Sequence, residues 1–270
     1  MTTEITYERR GAVGLITLER PQALNALTYG MIEGIEAFAK AAEKDPEVLA
    51  ICITGLGRGF CAGIDMSLLE ESTRSGPRVS AEAKSQPRAR PALFSFLLDI
   101  SKPVIAAVNG VSAGGGFVLA MMCDLRFVSH DAYFTTVFAR RGLIAEHGTS
   151  WLLPRMIGLN RALDLLWSSR RVDADEAWRL GLADRIMPAD QLISAVEAYV
   201  ADMKATVAPK TLATMKAQVH RHLEVSFDVA AQESDALMTH ALKHPDALEG
   251  AMSFIERRAP KFSAWTGDPA

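Results

Sequence analysis

Two glycine-bearing turns carry the chemical potential of this chain: Gly59-Phe60-Cys61-Ala62-Gly63-Ile64-Asp65-Met66 and Val108-Asn109-Gly110-Val111-Ser112-Ala113-Gly114-Gly115-Gly116-Phe117-Val118. Each follows an apolar, strand-like run, Val48 to Thr54 and Val104 to Val108, and each leads into residues able to open a helix. Backbone N–H groups at such turns lack an intrahelical partner. Two turns aimed at one point therefore bind an oxyanion without any charged side chain. The run Gly114-Gly115-Gly116 lets a ligand approach the backbone closely, and the helix that follows adds partial positive charge at its N-terminus. Among the acids, Asp65 directly follows the first turn and is placed to cap backbone N–H groups, while Asp124 reads as a structural acceptor. Glu146 precedes Gly148-Thr149-Ser150, which can begin a helix, so one reading of it is a helix N-terminal charge. Arg140-Arg141 reads as a solvated turn and Lys102 as a structural cation.

The elements that must position these turns are legible from periodicity. Glu4 to Arg9 and Ala12 to Glu19 predict a hairpin closed at Gly11. Thr28 to Lys44 has helical spacing through Met31, Ile35, Phe38 and Ala42, with Thr28 as N-cap. A short helix is expected over Ser67 to Glu71, a surface segment over Ser72 to Pro91, and a helix over Ala92 to Ile100. Val104 to Val108, Leu125 to Ser129 and Tyr133 to Thr136 predict strands, and Gly115 to Met122 an apolar helix. This alternation of strand, glycine turn and helix points to an α/β core. From Asn160 onward the pattern is helical, broken by a strand-like stretch at Asp184 to Met187. Helices are expected over Gln191 to Met203, Pro209 to Leu223, Phe227 to Leu242 and Pro245 to Arg257.

Composition narrows the class. A net charge of −3 with charges of both signs interspersed gives no nucleic-acid footprint. Three cysteines without metal-type spacing, and six histidines without an HExxH pair, predict no metal site and fit a reducing compartment. His220 and His222 fall on a predicted helix, where they face apart. No signal-peptide pattern opens the chain and no apolar run is long enough to cross a bilayer, so a soluble cytoplasmic protein with no membrane partner is expected. We place a soft boundary near residue 200. Residues 1–200 form the core and residues 201–270 a helical region whose apolar faces call for oligomerisation.

Taken in order, the two turns resemble those of the crotonase (enoyl-CoA hydratase/isomerase) family. Supporting matches are Glu19-Arg20-Pro21-Gln22-Ala23-Leu24-Asn25-Ala26-Leu27, Ser101-Lys102-Pro103-Val104-Ile105-Ala106-Ala107-Val108-Asn109-Gly110 and Ala120-Met121-Met122-Cys123-Asp124, followed by Leu152-Leu153-Pro154-Arg155 and Phe254-Ile255-Glu256-Arg257-Arg258. The resemblance implies a crotonase-type spiral of ββα turns with a C-terminal helical trimerisation region, assembled as a homotrimer or dimer of trimers. It implies an acyl-CoA substrate, with coenzyme A present as part of the substrate and no other cofactor. The oxyanion hole falls on the N–H groups of Ile64 and Gly115. Coenzyme A contacts fall on Arg20, Ala23, Ala62, Asp65 and Met66, with Phe254 and Arg257 closing over the nucleotide. For Arg257, neutralising a phosphate and serving as a solvated partner of a helix dipole stay equally open.

The chain departs from the resemblance where hydration needs it most. The two glutamates that hold and activate water in a hydratase fall at Val118 and Phe138, and neither replacement moves a proton. Instead Gly142-Leu143-Ile144-Ala145-Glu146-His147-Gly148-Thr149-Ser150-Trp151 places Glu146 where Δ3,Δ2-enoyl-CoA isomerases and the ring-rearranging isomerase of phenylacetate breakdown carry an acid. The match is partial, because Ala145 stands in place of the usual proline and His147 follows the acid, read here as a polar turn residue. An apolar wall from Phe117, Val118 and Phe138 would exclude the water that a hydratase requires. An enoyl-CoA isomerase using Glu146 is thus the leading expectation. The alternatives are a hydratase with altered acid–base residues, a related hydrolase or lyase, and a non-catalytic acyl-CoA-binding protein.

Overall fold

The computed structural model describes residues 4–75 and 92–265. The hairpin is β1 (Ile5–Arg10) and β2 (Val13–Leu18), antiparallel, with Gly11 in the turn. Helix α1 (Tyr29–Lys44) starts where expected, the Thr28 hydroxyl accepting from Met31 N at 3.2 Å. Its buried stripe runs Met31, Ile35, Ala39 and Ala42. Phe38 stays half-buried and stacks on Tyr7, ring centroids 5.6 Å apart.

Three strand pairs then repeat one plan: β3 (Ala50–Gly55) with β4 (Gly59–Cys61), followed by α2 (Met66–Ser75); β5 (Val104–Val108) with β6 (Val111–Ala113), followed by α3 (Gly115–Met122); and β7 (Leu125–Ser129) with β8 (Tyr133–Thr135). The first members lie side by side and parallel in a six-stranded sheet ordered β1-β2-β3-β5-β7-β10. The second members lie side by side and parallel in a four-stranded sheet, β4-β6-β8-β9. Each turn of chain thus adds one strand to each sheet, which is a spiral. The rest comprises α4 (Thr149–Ile157), α5 (Leu159–Ser168), β9 (Val172–Asp173), α6 (Ala174–Leu180), β10 (Arg185–Met187), α7 (Leu192–Thr206), α8 (Pro209–His222), α9 (Phe227–Ala241) and α10 (Pro245–Glu256).

Alternation along the central strands explains why they read as unbroken apolar runs. Ile51, Ile53, Val104, Ala106, Val108 and Val128 face the main core with α1 and α3. Ala50, Cys52, Ile105, Ala107 and Phe127 face a second core closed by Leu192, Val196, Val200 and Met203 of α7. A strand covered on both faces has no polar side to show. Helix α7 therefore packs on the sheet and runs across residue 200.

Two expectations differ from the structure, and one short strand is additional. Helix α2 continues through Ser75; residues 76–91 of the surface segment lie outside the described residues. The helix over Ala92 to Ile100 is only a 3-10 turn, Ser95–Leu98, because Phe94 takes φ +61° and an α-helix cannot pass through that conformation. Strand β9, two residues antiparallel to β8, is too short to have a period. No helix among the described residues is long and apolar enough to cross a membrane.

Charged side chains clamp the ends of these elements. Lys102 is buried and donates to Ala42 O at 3.1 Å and Asp45 O at 2.5 Å, satisfying carbonyls at the end of α1. Burial pulls its pKa down to about 8. Asp124 accepts from Val104 N and from Lys216 Nζ, both at 2.7 Å, and so pins α8 to the starts of β5 and β7. His220 faces the same carboxylate at 3.7 Å, whereas His222 turns away toward Glu233. Burial pushes the Asp124 carboxyl up, but His220, Lys216 and the Val104 N–H outweigh it and hold the group below the usual carboxylate range. A depressed carboxylate stabilises the fold above its unfolded pKa of about 3.9, and that stability is lost as pH falls through the folded value. Asp124→Asn is therefore expected to cost about 2 kcal/mol at pH 7, roughly 4–8 °C in Tm, with a smaller gap to wild type at about pH 3, below the unfolded pKa. Thermal melts at the two pH values check this; a gap independent of pH would refute the electrostatic assignment.

Candidate active site

The first turn is held against the residues after the early proline motif. Leu27 N donates to Gly63 O at 2.7 Å, and Asp65 N donates to Leu27 O at 3.0 Å, forming an isolated parallel bridge between Leu27 and Ile64. Because a peptide unit is planar and trans, an N–H points opposite to the carbonyl it follows. The Gly63 carbonyl faces Leu27, so the Ile64 N–H faces the other way.

The second turn approaches from the neighbouring strand pair. Gly114 takes φ +51° and is the N-cap of α3, leaving the Gly115 N–H at a free helix start. A Cβ on Gly63 would sit 3.3 Å from Gly115 N and 2.8 Å from Ala113 O, so the two turns are in contact. Neither the Ile64 nor the Gly115 N–H has an acceptor among the described residues. The structure thus brings together the two donors that the sequence singled out.

Val118 and Phe138 are both buried in the main core, as is Phe117, which packs edge-on against Phe134 with centroids 6.3 Å apart. All eight residues of α3 are buried. Gly115, Val118 and Met122 share a face of that helix at intervals of three and four. The loop carrying Glu146 meets the C-terminal end of this helix: a Cβ on Gly148 would lie 3.8 Å from Met122 Cε, and α4 packs on α3. Among the described residues the Glu146 carboxylate accepts no capping hydrogen bond from α4. The N-cap is Gly148, without a side-chain hydrogen bond, and the Glu146 backbone carbonyl accepts from Thr149 N at 2.9 Å. Its Oε2 instead lies 3.1 Å from Nε2 of His147. That contact is absent from the sequence reading, as is Val137 at φ +52°, a rare conformation for a β-branched residue. Val137 Cγ2 lies 3.2 Å from where Gly114 would carry a Cβ, so its strain sits beside the second turn. No local signal announces either feature.

The remaining predicted residues are placed as follows. Asp65 Oδ1 accepts from Ser67 Oγ at 2.8 Å and Ser67 N at 3.1 Å, the capping role expected of it. Its Oδ2 pairs with Arg20 Nη1 at 2.9 Å. Hydrogen bonds from the Ser67 hydroxyl and N–H, then from Arg20, hold its carboxyl below the usual range. Arg20 also donates to Ala26 O at 2.6 Å and faces Glu4 at 3.2 Å, so its guanidinium braces the first turn. Ala23 ends a 3-10 turn and its N–H donates to Arg20 O, Ala62 N donates to Leu24 O at 2.9 Å, and Met66 is exposed at the start of α2. Phe254 and Arg257 lie apart from these residues at the end of α10. Phe254 is 86% exposed, Arg257 is the left-handed C-cap, and no hydrogen bond or ion pair among the described residues joins either to the turns. Cys61, inside the first turn, is fully buried, and burial pushes its thiol up to about 12, which leaves it protonated and unreactive. Among the described residues no cluster of three or more His, Cys, Asp or Glu side chains is arranged to hold a metal ion.

A family model described as enoyl-CoA hydratase/isomerase matches residues 8–265. The chain belongs to the enoyl-CoA hydratase/isomerase family. It is 36% identical over 267 residues to a probable enoyl-CoA hydratase of Mycobacterium bovis, covering 97% of this chain and 99% of that protein. A short-chain-enoyl-CoA hydratase of Clostridium acetobutylicum is 30% identical, covering 94% and 95%. The crystal structure of a probable enoyl-CoA hydratase/isomerase from Mycobacterium abscessus superposes with a TM-score of 0.85 at 29% identity, covering 97% of this chain and all of that one. The crotonase-type spiral that the resemblance implied is the architecture observed.

Proposed function

We propose that this member of the family is an enoyl-CoA isomerase that moves a double bond through an enolate. One observation carries the reading: the positions at which the family likeness expects the two water-holding glutamates are Val118 and Phe138, both in the apolar core, while Glu146 sits on the loop that meets the end of the helix carrying Val118. Hydration needs carboxylates to hold and activate water; isomerisation needs one base and an oxyanion hole. In this reading Glu146 removes a proton from the carbon between the thioester carbonyl and the 3,4-double bond. The electron pair moves onto the thioester oxygen, giving a dienolate whose oxygen is bound by the N–H groups of Ile64 and Gly115. Glu146 then returns the same proton to the γ-carbon, leaving the 2,3-double bond. No atom is gained or lost. Coenzyme A lies along Arg20, Ala23, Ala62, Asp65 and Met66, with Phe254 and Arg257 over its nucleotide, and Phe117, Val118 and Phe138 wall the acyl side.

The curated relatives bear hydratase names, which favours hydration as the second reading. Assaying a 3-enoyl-CoA beside a 2-enoyl-CoA separates the two: fast migration without water addition is expected, and efficient hydration of the 2-enoyl ester would overturn the proposal. The same preparation, measured by light scattering, is expected to have the mass of a trimer or hexamer. Support for assembly comes from Val219 on α8 and Phe227 and Met238 on α9, large apolar side chains exposed in the single chain.

A further inference from the structure

We propose that His147 is a positioning residue for Glu146: its Nε2, 3.1 Å from Glu146 Oε2, is placed to donate to that oxygen in the substrate complex and so to leave Oε1 as the oxygen that takes and returns the substrate proton. This rests on Glu146 being the base. The first support is backbone geometry. Side chains of adjacent residues point apart in helices and strands, so a neighbouring acid and imidazole do not ordinarily meet. Here His147 takes φ +52° and Gly148 φ +78°, and this left-handed turn folds the imidazole back until Nε2 lies 3.1 Å from Oε2. A left-handed histidine is uncommon, and the conformation is held by a contact from another part of the chain.

That contact also decides the tautomer. The Leu93 N–H donates to His147 Nδ1 at 3.4 Å. A ring nitrogen that accepts a hydrogen bond carries no proton, so the neutral imidazole keeps its single proton on Nε2, facing Glu146. Burial holds the imidazole below its ordinary pKa despite the carboxylate beside it, so the ring is neutral at pH 7. Throughout the reaction His147 keeps its proton. The substrate proton alone travels, from the α-carbon to Oε1 and on to the γ-carbon.

Two variants divide the contacts of the ring. His147→Asn suits a left-handed residue and keeps an acceptor for Leu93, but is too short to donate to Glu146. His147→Gln places an amide donor near the position of Nε2 and gives up the Leu93 contact. With a 3-enoyl-CoA, His147→Asn is expected to lower kcat about 10- to 100-fold with KM changed less than about twofold, since a hydrogen bond to a charged group is lost without altering binding. His147→Gln is expected to recover kcat to within about fivefold of wild type. A wild-type kcat in the Asn variant, or a Gln variant as impaired as Asn, would overturn the proposal and leave His147 as a turn residue. Glu146→Gln, run alongside, keeps the two readings apart: if it retains turnover the base assignment fails, whereas its inactivity beside a fully active Asn variant rejects the role of His147 alone.

Discussion

Glu146→Gln is expected to lower double-bond migration by about 10³-fold or more while leaving the affinity for an acyl-CoA unchanged. The carboxamide has nearly the shape of the carboxylate but accepts no proton from carbon, so the loss falls on kcat. Binding is assigned to other groups: the backbone of the two turns, the segment after Arg20 and the apolar wall. The surroundings of Glu146 also make the variant a clean one. Among the described residues its carboxylate caps no helix and its one side-chain partner is His147, to which an amide oxygen still offers an acceptor. Steady-state kinetics with a 3-enoyl-CoA, paired with calorimetric binding of a non-reacting acyl-CoA, measures both halves. Turnover at the wild-type level would remove Glu146 from the mechanism, and loss of binding would make it a substrate contact. A wild-type protein that binds acyl-CoA but turns over neither the 3-enoyl nor the 2-enoyl ester would favour the binding-protein alternative.

Gly63→Ala is the second large effect. Gly63 has φ +103°, a conformation that L side chains rarely adopt, and a Cβ there would lie 2.8 Å from Ala113 O. Both obstacles are backbone, so neither relaxes by a side-chain rotation. The chain must move the first turn away from the second, carrying the Ile64 N–H with it. Loss of one oxyanion donor is worth about 10²–10³ in turnover, and the strained backbone adds about 1–3 kcal/mol of destabilisation. Gly115→Ala is the internal comparison. Its Cβ would meet Leu27 Cδ1 at 3.3 Å and Ile64 Cδ1 and Cγ1 at 3.4 Å, all side-chain rather than backbone atoms, so its Tm is expected to fall less than that of Gly63→Ala. Melting curves and kcat for the two variants test the point, and a fully active Gly63→Ala protein would show that the contact between the turns is not what holds the donor.

The two glycine turns, the strands before them, helix α1 with its Thr28 cap and the four C-terminal helices were all legible in the chain because each depends on local rules: apolar period, capping chemistry and the freedom of glycine. The turns also fall at the same point of successive strand pairs, so a repeated local pattern is enough to place Ile64 and Gly115 side by side once both sheets form. The limits are equally local in origin. Phe94, Val137 and His147 are non-glycine residues with positive φ, a conformation their own side chains disfavour and only surrounding contacts impose. The first shortened a predicted helix, the second put strain beside Gly114, and the third turned a residue read as a polar turn into the partner of Glu146. Likewise Arg20 with Asp65, and Asp124 with Lys216, are pairs 45 and 92 residues apart that periodicity cannot join. By itself the sequence determined most of the elements and the two glycine turns, since those follow from neighbours along the chain. Tertiary structure alone decided which side chains meet, because that depends on packing between segments and on backbone conformations that no residue here would choose in isolation.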